Sequence, residues 1–240
     1  MVHIIFPVLN ESERLTQGVD RTVTFLEEHR IDYQVTIADN GSEEEYWKIA
    51  QELAARYGHV QCFHLQERGV GQAVREAFLQ NECGIVGYMD VDLSTPLENV
   101  LKMQQLFEKK SEVDIVNGSR LAKDARAVGR KPLREITSRG LNFLLRVLFH
   151  CKFTDSMCGF KFFRKETAIR LVEASSKDNG WFYCAELLIR AERMGCVIEE
   201  IPVIWTDDYR TRVRVVRLIR QYLARIALLF RELVFHGKAA

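Results

Sequence analysis

Asp90 and Asp92 stand one residue apart where an apolar run, Ile85 to Met89, gives way to Ser94, Thr95 and Pro96. If that run is a buried strand, both carboxylates sit at its carboxyl end, the place where open α/β sheets bind ligands. Two carboxylates so close repel one another and need a cation nearby. A hard divalent ion that also bridges to a diphosphate answers that need. A bare D-x-D is equally a common solvated turn, so its surroundings decide. Asp39 ends a second strand-like run and Asn10-Glu11 ends a third, which would place all these groups on one rim. Arg68-Gly69-Val70-Gly71 opens a helix after another strand, where backbone N–H groups and the helix dipole favour an anion. The same glycines also suit a plain tight strand-to-helix turn.

The elements that must position these groups alternate along the first half of the chain. Strands are expected at His3–Val8, Tyr33–Ala38, Val60–Leu65, Ile85–Met89 and Asp114–Asn117. Helices are expected from the Asn10-Glu11-Ser12-Glu13 cluster to His29, then over Glu43–Tyr57, Gly69–Asn81 and Pro96–Lys110. Such alternation implies an α/β fold with a mostly parallel, doubly wound sheet flanked by helices. After Arg120 the alternation weakens. Arg126, Arg130, Lys131 and Arg134 crowd a loop that leads into a helix over Leu133–His150.

Bulk properties narrow the class. A 240-residue chain that is 47% apolar and 28% charged suits one large globular core, and a net charge of +1 argues against a nucleic-acid binder. Six cysteines without a CxxC pair read as reduced, mostly buried thiols in a cytosolic setting. The Met1–Pro7 start lacks a basic region and a long apolar run, so no signal peptide is expected. No stretch approaches the ~18 apolar residues of a membrane span. The expected location is cytoplasmic, peripheral on the cytoplasmic membrane face.

Together the motifs resemble the inverting family 2 glycosyltransferases of GT-A fold, in the branch that loads a sugar onto polyprenyl (dolichyl) phosphate. The matching stretches are Phe6-Pro7-Val8-Leu9-Asn10-Glu11, Asp39-Asn40-Gly41-Ser42, Arg68-Gly69-Val70-Gly71 and Asp90-Val91-Asp92. They continue through Asn117-Gly118-Ser119-Arg120, Ser138-Arg139-Gly140, Asp155-Ser156-Met157-Cys158-Gly159-Phe160-Lys161 and Glu186-Leu187-Leu188. The likeness implies a GT-A, Rossmann-like catalytic domain over residues 1–212 and a basic amphipathic C-terminal helix over 213–236. It implies that Pro7, Asn10, Glu11, Asp39, Arg68, Gly71 and Asp90 bind the nucleotide sugar. Asp90 and Asp92 would hold Mg2+ or Mn2+, with Asp92 the main ligand. Arg120, Arg134 and Ser138 would bind the acceptor phosphate, which suits the bidentate chemistry of arginine. Asp155 would belong to the catalytic set, on a turn and short strand that close over the acceptor region. Arg212 would stand where the family carries a lysine that reaches the diphosphate.

This chain departs from the family pattern in three places. Ser94 stands where a glutamine often supplies a further metal ligand, Asn40 where a second aspartate is common, and Cys184 where the aromatic segment usually carries an acid. Glu186 is expected to be structural, pairing with a cation of the acceptor loop. From Val213 to Phe235 the pattern is helical. Val215, Val216, Ile219, Tyr222, Leu223, Ile226, Leu229, Phe230 and Leu233 form one face, and Arg214, Arg217, Arg220, Arg225 and Arg231 the other. Such a helix either lies in a membrane interface or docks on the protein's own core or on a second subunit.

The resulting expectation is metal-dependent transfer of a hexose from a UDP-glucose-like or GDP-mannose donor to a polyprenyl phosphate. An ionised phosphate acceptor needs no general base. A saccharide hydroxyl acceptor on the same fold would need one, with Asp155 or Glu186 as candidates. A non-catalytic nucleotide-sugar-binding protein would be expected to lack the metal acids. A nucleotidyltransferase would carry a glycine- and lysine-rich first loop, whereas Asn10-Glu11-Ser12-Glu13 is acidic.

Overall fold

The computed structural model describes residues 1–129, 132–206 and 215–236. Arg130, Lys131 and Arg212 therefore lie outside the described residues.

The central sheet is built from β1 (Val2–Val8), β2 (Tyr33–Asp39), β3 (Val60–His64), β4 (Ile85–Met89), β5 (Ile115–Ser119), β7 (Phe160–Arg164) and β8 (Ile198–Pro202). Their spatial order is β3-β2-β1-β4-β7-β5-β8. β1 lies between β2 and β4, parallel to both, and is buried on both faces, which is why VHIIFPV is apolar almost throughout and not alternating. All contacts in the sheet are parallel except those of β7, which runs antiparallel between β4 and β5. The resemblance led us to expect the 158–161 segment to cover the acceptor region. The turn and short strand expected there are present: Phe160–Arg164 is a central strand of the sheet, and the turn before it lies at the sheet's rim.

α1 (Glu13–Glu28), α2 (Glu44–Arg56) and α4 (Glu98–Lys109) cover one face of the sheet through Leu15, Val19, Leu26, Leu53, Val100 and Phe107. α3 (Val70–Leu79), α5 (Pro132–Phe149), α6 (Lys165–Ala174), α7 (Phe182–Arg193) and α8 (Val215–Arg231) cover the other. A π-helical turn, Glu232–His236, follows α8. A small parallel pair, β6 (Arg126–Val128) with β9 (Ile204–Thr206), sits beside the main sheet. All six cysteines are free, four of them buried. No helix of the described residues is long and apolar enough to cross a membrane.

The crossover from β1 through α1 brings Gly18 directly against the Asp90–Asp92 loop. A Cβ on Gly18 would collide with the Val91 carbonyl oxygen, so only glycine lets the helix pack this close.

Candidate active site

The carboxyl ends of β1, β2, β4 and β5 form one rim, and the acids singled out in the sequence lie along it. Asp90 follows β4 directly. Its N–H donates to the Gly159 carbonyl at 3.0 Å, and its carboxylate lies where a Gly159 Cβ would be. Burial, followed by the charge of Asp92, pushes Asp90 up to about 7. Asp92 is exposed, and its Oδ1 accepts from the Ser94 N–H at 2.9 Å and the Ser94 hydroxyl at 2.6 Å. Ser94 thus aims Asp92 and spends its proton doing so. Among the described residues no cluster of three metal-ligating side chains forms. The all-oxygen pair of Asp90 and Asp92, the first held high by burial and then by the charge of the second, nonetheless fits a hard cation that takes its remaining ligands from a diphosphate and water.

The base side of the rim is tightly cross-linked. Asp39, 2% exposed, accepts from the Ser42 hydroxyl and from His64 Nδ1, the latter at 2.5 Å. Asn10, at φ 52°, donates its N–H to Ser42 Oγ at 2.8 Å, and its side chain accepts from the Glu43 N–H at 3.0 Å. Glu11 pairs with Arg14 at 2.9 Å. Pro7 lies within β1, paired with Ala38. Arg68 is exposed beside Gly41.

At the start of α3 both glycine N–H groups are engaged within the protein, as in the tight strand-to-helix turn that is the alternative reading of these glycines. The Gly69 N–H donates to Asn40 Oδ1, and the Gly71 N–H donates to the Asn179 carbonyl at 3.0 Å. A Cβ on Gly71 would meet the Asp178 carbonyl at 2.5 Å and Tyr183 Cβ at 2.7 Å. The glycines serve close packing of the 178–180 turn, and Asn40, where an aspartate was expected, ties two loops of the rim together.

Across the rim, Arg120 and Asp155 form a buried fork. Arg120 Nε donates to Asp155 Oδ2 at 2.7 Å and Nη2 to Oδ1 at 2.9 Å, with side chains 9% and 0% exposed. Although burial opposes ionisation, the Arg120 guanidinium holds the Asp155 carboxyl down to about 2. The Arg120 guanidinium also stacks over Trp205 at 5.4 Å. Asp155 therefore orients Arg120 and has no oxygen free of it. Glu186 is likewise engaged: it accepts from Arg190 Nε at 2.7 Å and from the Ser176 N–H at 2.6 Å. Its cation is one helical turn away on α7, not in the acceptor loop. On α5, Arg134 is half-buried, and Ser138 Oγ is buried without a hydrogen-bond partner. The Ser138 carbonyl accepts from Asn142, whose Oδ1 accepts from the Ser156 N–H at 2.8 Å, so α5 is joined to the Asp155 turn.

Two residues important to this geometry were not singled out from sequence. Glu200 accepts from Asn117 at 2.8 Å, from the Thr154 hydroxyl at 2.6 Å and from the Thr154 N–H at 2.9 Å, fixing the turn that carries Asp155. Lys161 is fully buried and donates to the Cys158 carbonyl at 2.5 Å beneath Gly159. Lys161 was visible inside its motif; an isolated glutamate in Ile198-Glu199-Glu200 carries no local signal.

Comparison with known proteins bears on this geometry. The family profile described as Glycosyl transferase family 2 matches residues 3–172. The glycosyltransferase AglD of Haloferax volcanii is 33% identical over 221 residues, covering 90% of this chain and 35% of the relative. The dolichyl-phosphate beta-glucosyltransferase of Dictyostelium discoideum is 28% identical, with 85% of this chain and 66% of the relative covered. The chain thus spans about a third of the first relative's length and two thirds of the second's. Among solved structures, the glucosyl-3-phosphoglycerate synthase of Mycobacterium tuberculosis in complex with Mn2+ and UDP-glucose superposes with a TM-score of 0.68 at 17% identity, covering 94% of this chain and 77% of that one.

Proposed function

This chain belongs to glycosyl transferase family 2, and from that membership we propose that it transfers a hexose from a nucleoside diphosphate sugar to a polyprenyl phosphate, inverting the anomeric carbon. The observation that carries the choice of acceptor is the state of Asp155 and Glu186. These are the two acids that could serve a hydroxyl acceptor as base, and each is bound to an arginine. A phosphate acceptor is already ionised and needs neither. The names of the dolichyl-phosphate beta-glucosyltransferase relatives support the same acceptor class, and a fold neighbour solved with UDP-glucose makes that donor the first to try, ahead of GDP-mannose.

In this reading the Asp39–Ser42–Asn10 network shapes the pocket for the base and ribose, with Pro7, Glu11 and Arg68 on its border. Gly71 acts by letting the 178–180 turn pack close. Asp90 and Asp92 hold Mg2+ or Mn2+, which when bound neutralises charge on the leaving diphosphate. Arg120, aimed by Asp155, and Arg134 with Ser138 hold the acceptor phosphate in line. An acceptor oxygen forms the new bond to the anomeric carbon while the bond to the β-phosphate oxygen breaks, and that oxygen leaves with the electron pair. Arg212, outside the described residues, is assigned to the leaving group by sequence alone. The C-terminal helix would hold the protein at a membrane surface.

The test is release of nucleoside diphosphate from UDP-glucose and GDP-mannose, with and without a short polyprenyl phosphate and a divalent cation. Release should require both additions, and Asp92→Ala should abolish it. Release driven by a free saccharide, with polyprenyl phosphate inert, would overturn the proposal.

A further inference from the structure

α5 presents four large apolar side chains to solvent: Leu133 at 60%, Ile136 at 68%, Phe143 at 70% and Val147 at 54% exposure. At 100° per residue they fall within an arc of about 80°. Arg139 and Arg146, both exposed, line one edge of this stripe; Arg139 also pairs with Glu135 at 2.6 Å. Single exposed apolar residues are ordinary on a protein surface, but a contiguous stripe beside cations marks an interaction site.

α8 packs against α5 on a different face. Phe149 of α5 packs edge-on against Phe230 of α8, with ring centroids 5.9 Å apart. Ile219 and Leu223, 39% and 50% exposed, lie on the same flank of α8 as Phe230, while Tyr222, Ile226 and Leu229 are buried on its inner side. Arg220 and Arg231 are exposed just beyond that flank. Phe149 is buried and lies about 160° around α5 from the centre of the stripe, so α8 packs on the inner side of α5 and the exposed stripe belongs to α5 alone.

We propose that the exposed stripe of α5, with Arg139 and Arg146 along its edge, is a docking face for an anionic phospholipid bilayer. The charge pattern selects this partner. Arginines bordering an apolar strip match headgroup phosphates above acyl chains, whereas a second copy on the same strip would set like charges against each other. Arg134 and Ser138 lie on the opposite side of α5 from the stripe, so the helix separates the bilayer from the phosphate site by its own diameter, ~10 Å. This placement deepens the proposed function, on which its link to a lipid acceptor rests: the acceptor's phosphate would rise past α5 while its chain stays in the membrane.

The test uses the full chain and vesicles of phosphatidylcholine with and without phosphatidylglycerol. The protein should co-sediment with the anionic vesicles, and less so as salt is raised. The double variant Ile136→Glu/Phe143→Glu should bind at least tenfold more weakly, with an unchanged melting temperature and unchanged turnover on a short, water-soluble polyprenyl phosphate. Failure of the wild type to bind, or wild-type binding by the variant, would overturn the proposal. So would a wild-type dimer that ignores vesicles and becomes monomeric in the variant. Vesicle binding without transfer to any polyprenyl phosphate would leave the docking face standing and bring down the acceptor assignment instead.

Discussion

Asp90 sits high, at about 7, because it is buried and faces Asp92. A divalent ion must displace any proton from it. Below about 7 proton and metal compete, and above it they do not. Mn2+ affinity, measured by titration calorimetry or by the spectrum of the bound ion, should therefore fall about tenfold per pH unit as pH drops below 7, with proton release on binding. Affinity that stays flat between pH 5 and 8 would remove Asp90 from the metal site. Asp155 sits low for the complementary reason, being locked to Arg120. Asp155→Asn leaves a buried guanidinium half-compensated, which costs about 3 kcal/mol and lowers Tm by on the order of 10 °C in a chain of this size. The requirement for acceptor should rise while donor KM holds, because Arg120 loses its aim. At this scale the sequence was informative about Asp90 and Asp92, since a spacing of two at a strand end is a local pattern. It said nothing of Glu200, which gains its role only when β8 lies beside β5.

At the scale of elements, α8 resolves an ambiguity that its hydrophobic pattern contains by construction. An apolar face is required for docking on a core and equally for lying on a membrane, so periodicity cannot separate them. The structure divides the face: Tyr222, Ile226 and Leu229 are buried, and Ile219 and Leu223 are not. Arg225, grouped by pattern with the outward arginines, instead pairs with Asp178 at 3.0 Å. Since Tyr222 packs near Phe182, with ring centroids 5.9 Å apart, Tyr222→Ala should destabilise the protein by about 3 kcal/mol. A thermal melt that does not shift would show α8 undocked in solution. The start of α3 carries a related lesson. Glycine marked a place where backbone approaches something closely, and the 178–180 turn, distant in sequence, turned out to be that something.

At the scale of the whole molecule, β-α alternation made the parallel half of the sheet legible, because each strand there is followed at once by the helix that covers it. β7 was not. Phe160–Arg164 looks the same to a local pattern whether it runs parallel or antiparallel, and its direction is set by partners some 45 and 75 residues earlier. That insertion has a consequence for how the chain is made. β1 to β4 are complete and can pair with one another once residue 89 is available. β5 cannot follow, for its two neighbours, β7 and β8, are both synthesised after it. A nascent chain therefore carries β4 as an unprotected edge for about 70 residues of translation, the condition under which half-made sheets stick to one another. A fragment ending at His150 should accordingly form soluble aggregates by light scattering, while the full chain stays monodisperse; a monodisperse short fragment would show that β4 is guarded in some other way. The strand whose preceding turn gives the Asp90 loop its neighbour, Gly159, is thus also the piece whose arrival covers β4 and lets β5 join the growing sheet.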